Sequence, residues 1–280
     1  MSRPATKRPA NPKSPGEKLD LAPASSRRPR PDAEPAERKA DRVAHDLLSR
    51  IVSGEFAVGS VLPKEDELAQ AYKVNRGVVR EAVKLLEVHR LVRPVRRRGT
   101  EVLEPLRSMS PEVLAAMLVP KPGRIDRRVL DSFLEVRALV DAQMTALAAT
   151  RRTDADVEAM RKLLASLEAS LRDGHRYGKL VNEIAWVIAR ASNNAVFEML
   201  SAFNSRVVTD LEGAFAATRP ASREHLDGLR MLVDLIDARD ADGARNLVAG
   251  FHKWATPRIL AAAALANGEP LPTVLEGVKS

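Results

Sequence analysis

Between Val78 and Leu86 the apolar residues Val78, Val79, Ala82, Val83, Leu85 and Leu86 recur at the spacing of one helical face, which predicts a buried stripe on a short helix. Asn75 stands immediately before that run as a good N-cap. Arg76 and Arg80 lie one turn apart and off the stripe, so both leave the helix on the same outward side. A shorter helix, Lys64 to Ala71, precedes it after Leu62-Pro63 and is joined to it by a tight turn at Tyr72-Lys73. Ahead of both, Ala40 to Ser53 reads as an amphipathic helix with Val43, Leu47, Leu48 and Ile51 inward and His45 on its polar side. Two short helices with arginines at the start of the second predict a helix-turn-helix whose second helix is the recognition helix. Leu91 to Val95 and Thr100 to Leu103 then read as two strands of a hairpin, with Arg96-Arg97-Arg98-Gly99 at its tip. By itself such a tip is a solvated loop; directly after a helix-turn-helix it is a basic wing.

The pattern changes beyond residue 104. Pro105, Pro111, Pro120 and Pro122 punctuate a linker over 105–128, with one short helix at Pro111–Leu118 capped by Ser110. From Val129 to about Ala266 the apolar periodicity is helical throughout, and no strand is indicated. Breaks at Arg152-Thr153, Asp173-Gly174, Ser192-Asn193-Asn194, Thr218-Arg219-Pro220 and Arg239-Asp240 divide it into six helices. These run Val129–Thr150, a second capped by Thr153, Tyr177–Ala191, Ala195–Ala214, Arg223–Ala238 and Ala241–Leu265. The expected fold is therefore mainly α: a winged helix-turn-helix over 39–104 with a small β-hairpin wing, then an all-α helical bundle over 129–266. Residues 1–38 read as a disordered, basic, proline-rich tail, and 267–280 as a flexible C-terminal tail. The N-terminal tail is either a solvating extension or, through Arg27, Arg28 and Arg30, an arm attracted to phosphates.

Composition narrows the classes. Two domains are the natural reading of 280 residues, and 45% apolar content supplies real cores. Without cysteine there are no disulfides, thiolate metal ligands or thiol nucleophiles. No apolar run approaches the roughly eighteen residues of a membrane span, and no secretory signal is visible, so a cytoplasmic location without membrane attachment is expected. A net charge of +8 favours a polyanionic partner. There is no glycine-rich phosphate loop, GxSxG or HExxH, and the acidic pair Asp154 and Asp156 sits at a helix start where capping accounts for it, so no enzyme is indicated.

The runs Leu62-Pro63-Lys64-Glu65-Asp66-Glu67-Leu68-Ala69, Val74-Asn75-Arg76-Gly77-Val78-Val79-Arg80-Glu81-Ala82 and Arg98-Gly99-Thr100 resemble the winged-helix domain of GntR-type bacterial transcription regulators. The lead-in Ile51-Val52-Ser53-Gly54-Glu55-Phe56 with Gly59-Ser60 is similar as well. The resemblance implies double-stranded DNA as partner, with Lys64, Glu65, Asn75, Arg76, Gly77, Arg80, Arg96, Arg97, Arg98, Gly99 and Thr100 at the interface. In particular, it implies that Arg76 and Arg80 read bases and phosphates and that Gly99 enters the minor groove. Asp66 departs from a DNA-contacting arginine usual in the family, placing a carboxylate near phosphate, and Arg90 stands where a glycine is usual.

Phe133-Leu134-Glu135-Val136-Arg137, Ala146-Leu147-Ala148-Ala149, Ala189-Arg190-Ala191-Ser192-Asn193-Asn194 and Asp240-Ala241-Asp242-Gly243-Ala244-Arg245 resemble the all-helical, FCD-type effector domain of the FadR subgroup. Many such relatives hold a divalent metal with one aspartate and three histidines. The matching positions here are Val181, Ala185, Leu229 and Phe251, none of which coordinates a divalent ion. His225 and His252 lie nearby without a carboxylate at matching spacing, and His175 and His89 read as surface residues. No metal and no cofactor are expected. The resemblance implies a small-molecule effector, a carboxylate such as an organic acid or an acyl-CoA. Arg137, Asn182, Trp186, Arg190 and Asn204 are the candidate effector residues. Arg137 serves either a ligand carboxylate or a surface ion pair with Asp141, and Trp186 serves either the pocket or the core.

The mechanism so implied is a homodimer on a palindromic operator, released from DNA by its effector as most relatives are repressors. The alternative is an architectural, nucleoid-type DNA-binding protein with no effector.

Overall fold

The structure is a computed structural model; it describes residues 36–121, 123–209 and 221–270. Among these, ten α-helices and one two-stranded sheet follow the order read from the sequence. Helix α1 (Ala36–Val52) begins four residues before the expected start and buries Val43, Leu47 and Ile51. Helices α2 (Glu65–Tyr72) and α3 (Arg76–Val88) meet at Lys73, which takes left-handed backbone at φ 53°. Asn75 caps α3, its side-chain oxygen accepting from the Val78 amide at 2.9 Å. Val78, Val79, Ala82, Val83 and Leu86 are buried against α1, so the stripe faces inward and the arginines outward.

Strands β1 (Val92–Val95) and β2 (Gly99–Val102) are antiparallel, with Val92 opposite Val102 and Val95 opposite Gly99. The lead-in to α2 adds a third edge. The Leu62 amide donates to the Thr100 carbonyl at 2.8 Å, and the Val102 amide to the Ser60 carbonyl at 2.9 Å. Gly99 sits at φ 106°, and a β-carbon there would meet Val61 Cγ1 at 2.9 Å, so both backbone and space require glycine. Arg90, where relatives usually have glycine, takes φ 56°, which explains the family's preference.

A short 3-10 turn (Pro105–Arg107) leads to α4 (Pro111–Leu118), capped by Ser110. Val113 and Ala116 of α4 join the core of the winged domain, whereas Leu118 joins a core formed with Leu130, Leu134, Val207 and Ile259. The bundle consists of α5 (Arg127–Arg151), α6 (Asp154–Ala169), α7 (Gly174–Ala191), α8 (Ala195–Thr209), α9 (Arg223–Asp237) and α10 (Ala241–Ala266). These six match the six expected helices, with α5 and α7 starting two and three residues early. The expected extension of α8 to Ala214 lies outside the described residues, as do the N-terminal tail to Pro35 and residues 271–280. Thr153 caps α6 in a capping box with Asp156, and Asp126, Asp173, Ser222 and Asp240 cap α5, α7, α9 and α10. A third core brings together Met160, Leu167, Tyr177, Ile184, Leu226 and Ile236. The expected flexible tail from 267 needs a correction at its start. Asn267 exchanges hydrogen bonds with the Ile125 backbone at 2.7 and 2.9 Å, and Glu269 pairs with Arg127 at 2.9 Å.

Leu47 is wholly buried in the first core. Leu47→Ala should lower stability by about 2–5 kcal/mol, read from the denaturation midpoint, through lost transfer energy and the cavity left behind.

Candidate nucleic-acid interface and effector cavity

On the outer face of α3, Arg76 and Arg80 are both exposed, and each faces an acid of α2. Asp66 takes the Arg76 guanidinium, and Glu65 Oε2 accepts from Arg80 Nη2 at 3.1 Å. Asp66 is thus an arginine partner, where the sequence suggested only a repulsive charge. Exposed pairs of this kind contribute about 0–1 kcal/mol, so phosphate can replace the carboxylate at little cost. Asn75 spends its side-chain oxygen on the helix cap, and Gly77 lies beside it. Lys64 is exposed, and its backbone amide donates to Glu67 at 3.0 Å. Arg96, Arg97 and Arg98 are exposed at the hairpin tip beside Gly99, with Thr100 half-buried next to them. Arg93, not singled out from the sequence, extends the basic surface along β1, paired with Glu101 at 3.0 Å. Its alternation along β1 was the available signal. His89, expected at the surface, is half-buried at the end of α3. Its Nδ1 lies 3.0 Å from Ser110 Oγ, and its carbonyl accepts from Ser108 Oγ at 2.7 Å.

Within the bundle, residues of α5, α7, α8, α9 and α10 line a cavity of about 150 Å³ that opens to one side. Arg137, Asn182 and Asn204 line it, as expected of effector residues. Trp186 and Arg190 do not. Trp186 opens instead onto an adjoining surface pocket with Leu163 and Arg206, which shares Asn182, Ser201 and Ser205 with the cavity, and Arg190 points to Asp156 of α6 at 4.0 Å. They lie farther round α7 from Val181, Ile184, Ala185 and Ile188, the face that looks into the cavity. Thr145, Ser201 and Ser205, which sequence reasoning missed, join Asp141, His225 and His252, named there in other roles, as the remaining polar lining. Their signal was periodic, since Arg137, Asp141 and Thr145 are successive turns of α5, and Ser201, Asn204 and Ser205 share one side of α8.

Arg137 is 9% exposed, and its Nε donates to Asp141 Oδ2 at 3.2 Å. The same carboxylate oxygen lies 3.1 Å from His252 Nε2. Of the two alternatives for Arg137, a ligand carboxylate or a surface pair with Asp141, the pair forms, but with Arg137 buried and Asp141 largely so, where an unmatched charge would be costly. Tyr177 OH lies 2.8 Å from His225 Nδ1, which fixes that ring at the cavity wall. Val181, Ala185, Leu229 and Phe251, at the family's metal positions, do converge on the cavity and supply no ligand atom. Among the described residues no three His, Cys, Asp or Glu side chains come together as a metal would require.

Comparison with known proteins fits both halves. Residues 39–102 match the family described as bacterial regulatory proteins, gntR family, and residues 132–251 match the FCD domain. The chain is a GntR-family transcription regulator with an FCD domain. This regulator is 27% identical over 211 residues to the galactonate operon transcriptional repressor of Escherichia coli, covering 74% of this chain and 91% of that one. It is 31% identical over 151 residues to LutR of Bacillus subtilis, covering 54% of this chain and 66% of the relative. Its fold matches that of Lar, which controls expression of the Listeria monocytogenes agr system, with a TM-score of 0.55 at 14% identity over 79% of this chain and 95% of that one. The matching domains and relatives are transcription regulators, not enzymes. No described helix of this GntR regulator is long and apolar enough to cross a membrane.

Burial pushes the phenol of Tyr177 up to about 12, and burial followed by the Asp46 hydrogen bond does the same for Tyr72. These are the two tyrosines of the chain. A raised folded-state value contributes stability in full below the unfolded value of about 10 and loses it as pH rises toward 12. Stability should therefore fall across pH 10–12, and phenolate absorbance of the folded protein at pH 10 should be nearly absent. Half-ionised tyrosine there would contradict the burial of both rings.

Proposed function

We propose that this regulator binds a palindromic operator as a homodimer, represses from it, and is released when an organic acid enters the bundle cavity. The observation that carries the reading is a basic face (Arg76, Arg80, Arg96, Arg97, Arg98) and a buried guanidinium, Arg137, opening onto a largely apolar cavity in the same chain. Arg76 and Arg80 exchange the α2 carboxylates for phosphate or base edges, and the Gly99 tip follows the minor groove. Lys64 and Thr100 add phosphate contacts, Glu65 orients Arg80, Gly77 permits close approach of the backbone, and Asn75 contributes through its amide N–H groups. The comparison with a galactonate operon repressor supports the repressor sense. A carboxylate head accepting from Arg137, with Asn182 and Asn204 beside it, fits the cavity. Val136 and Leu139, exposed one turn apart on α5, are the apolar surface that a dimer would cover.

Coupling runs through α4. Ser110, its cap, bonds His89 at the end of the recognition helix, and Glu112 reaches Arg206 of α8 at 3.9 Å, next to cavity-lining Ser205. An effector that prefers one α8 position thereby biases the recognition helix.

Alanine at both Arg76 and Arg80 should lower operator affinity by about 1–3 kcal/mol per arginine and flatten the salt dependence by nearly one unit of slope for each phosphate left without its cation. Retained discrimination between operator and random duplex in a binding titration would sink the interface. Arg137→Gln should abolish the effector's release of DNA while leaving operator binding in place. Ser110→Ala should weaken that release without changing effector affinity. An architectural protein would instead show weak sequence preference and no thermal shift with any organic acid or CoA ester.

A further inference from the structure

The two arginines of α3 are held by their acids in different ways. Glu65 Oε2 takes Arg80 through Nη2, one of the two nitrogens at the end of the guanidinium fork. Asp66 Oδ1 takes Arg76 through Nε, at the side of the guanidinium. Arg80 must therefore release its acid before the end of its fork can meet a guanine, whose O6 and N7 accept two N–H groups together. Arg76 reaches a base edge with Asp66 still alongside.

The acids at the start of α2 are not equivalent either. Glu67 is committed to the Lys64 amide, which it caps at 3.0 Å, and Glu65 holds Arg80. Asp66 is exposed, and its bond to Nε uses one of roughly four acceptor positions of a carboxylate. Once a guanine takes the guanidinium, that carboxylate is left at the groove with its acceptors open, where water is excluded and an unmatched charge is costly. A phosphate brings only acceptors and a like charge, so it repels Asp66. The major groove offers an amino donor at cytosine N4 and at adenine N6. Adenine sets the N7 lone pair beside its amino group, which opposes a carboxylate, whereas cytosine carries no such acceptor. Stacked base pairs are about 3.4 Å apart, so a carboxylate flanking the guanidinium falls on the neighbouring pair.

We propose that Asp66 is a specificity-determining residue: while Arg76 reads a guanine, the Asp66 carboxylate accepts from the N4 amino group of a cytosine in the adjacent base pair. This rests on the reading of α3 as the recognition helix.

Selection from a randomised duplex pool by the full chain tests it, using the parent, Arg76→Ala, Asp66→Ala and Asp66→Asn. Asp66 is exposed, and unchanged melting temperatures will show that the variants fold. The parent should select half-sites with a cytosine beside the guanine whose preference disappears in Arg76→Ala. Asp66→Ala should lose about tenfold in discrimination at that cytosine alone and keep the guanine. Asp66→Asn, whose amide both donates and accepts, should change the preference there to adenine. An intact cytosine preference in Asp66→Ala would overturn the direct contact. Loss of the guanine together with the cytosine would overturn it in favour of a residue that only holds Arg76. Equal tightening of Asp66→Ala on every sequence would overturn it in favour of simple repulsion from phosphate. A parent and Arg76→Ala that select the same sites would overturn the reading of α3, and the role of Asp66 with it.

Discussion

The constraint on which the two halves depend is the placement of α4 in two cores at once. Eight residues are too few for a helix to persist unaided, so α4 exists because its neighbours hold it. Val113 and Ala116 are buried with α1 and α3, and Leu118 with α5, α8 and α10. Close-packed interiors do not deform smoothly, so a shift of the bundle core reaches the winged domain as a displacement of this helix. The hydrogen bond between its cap, Ser110, and His89 at the end of α3 adds a polar tie at the same corner.

Charge is used in two opposite ways. The pairs Arg76–Asp66 and Arg80–Glu65 lie in solvent, where attraction is weak and partners exchange readily. The acids keep the guanidinium groups forward without neutralising them firmly. Arg137 and Asp141 are paired inside the bundle, where leaving one unmatched is expensive. A ligand entering there must therefore complete the existing hydrogen bonds or replace them in kind.

Much of this was legible in order along the chain. The stripe of α3, the caps Asn75, Ser110 and Thr153, and the breaks read along the chain identify the recognition helix and, among the described residues, each bundle helix. Helix spacing alone put Arg76 and Arg80 on one side. Asn182 and Arg137 line the cavity because their helices carry them inward; Trp186 and Arg190 do not line it, and Arg190 turns toward Asp156 of α6.

What the chain fixes by itself is local: which residues start and end each helix, which side of it is apolar, and which charges share a turn. Short-range sterics, capping and periodicity determine these within a few residues of each position. The tertiary structure decided which sides face one another. Asp141 meets His252 across 111 residues, Tyr177 meets His225 across 48, and Asp66 turns from a repulsive charge into the partner of Arg76. Those pairings depend on how helices cross and stack, which is set by the whole core and by no single segment.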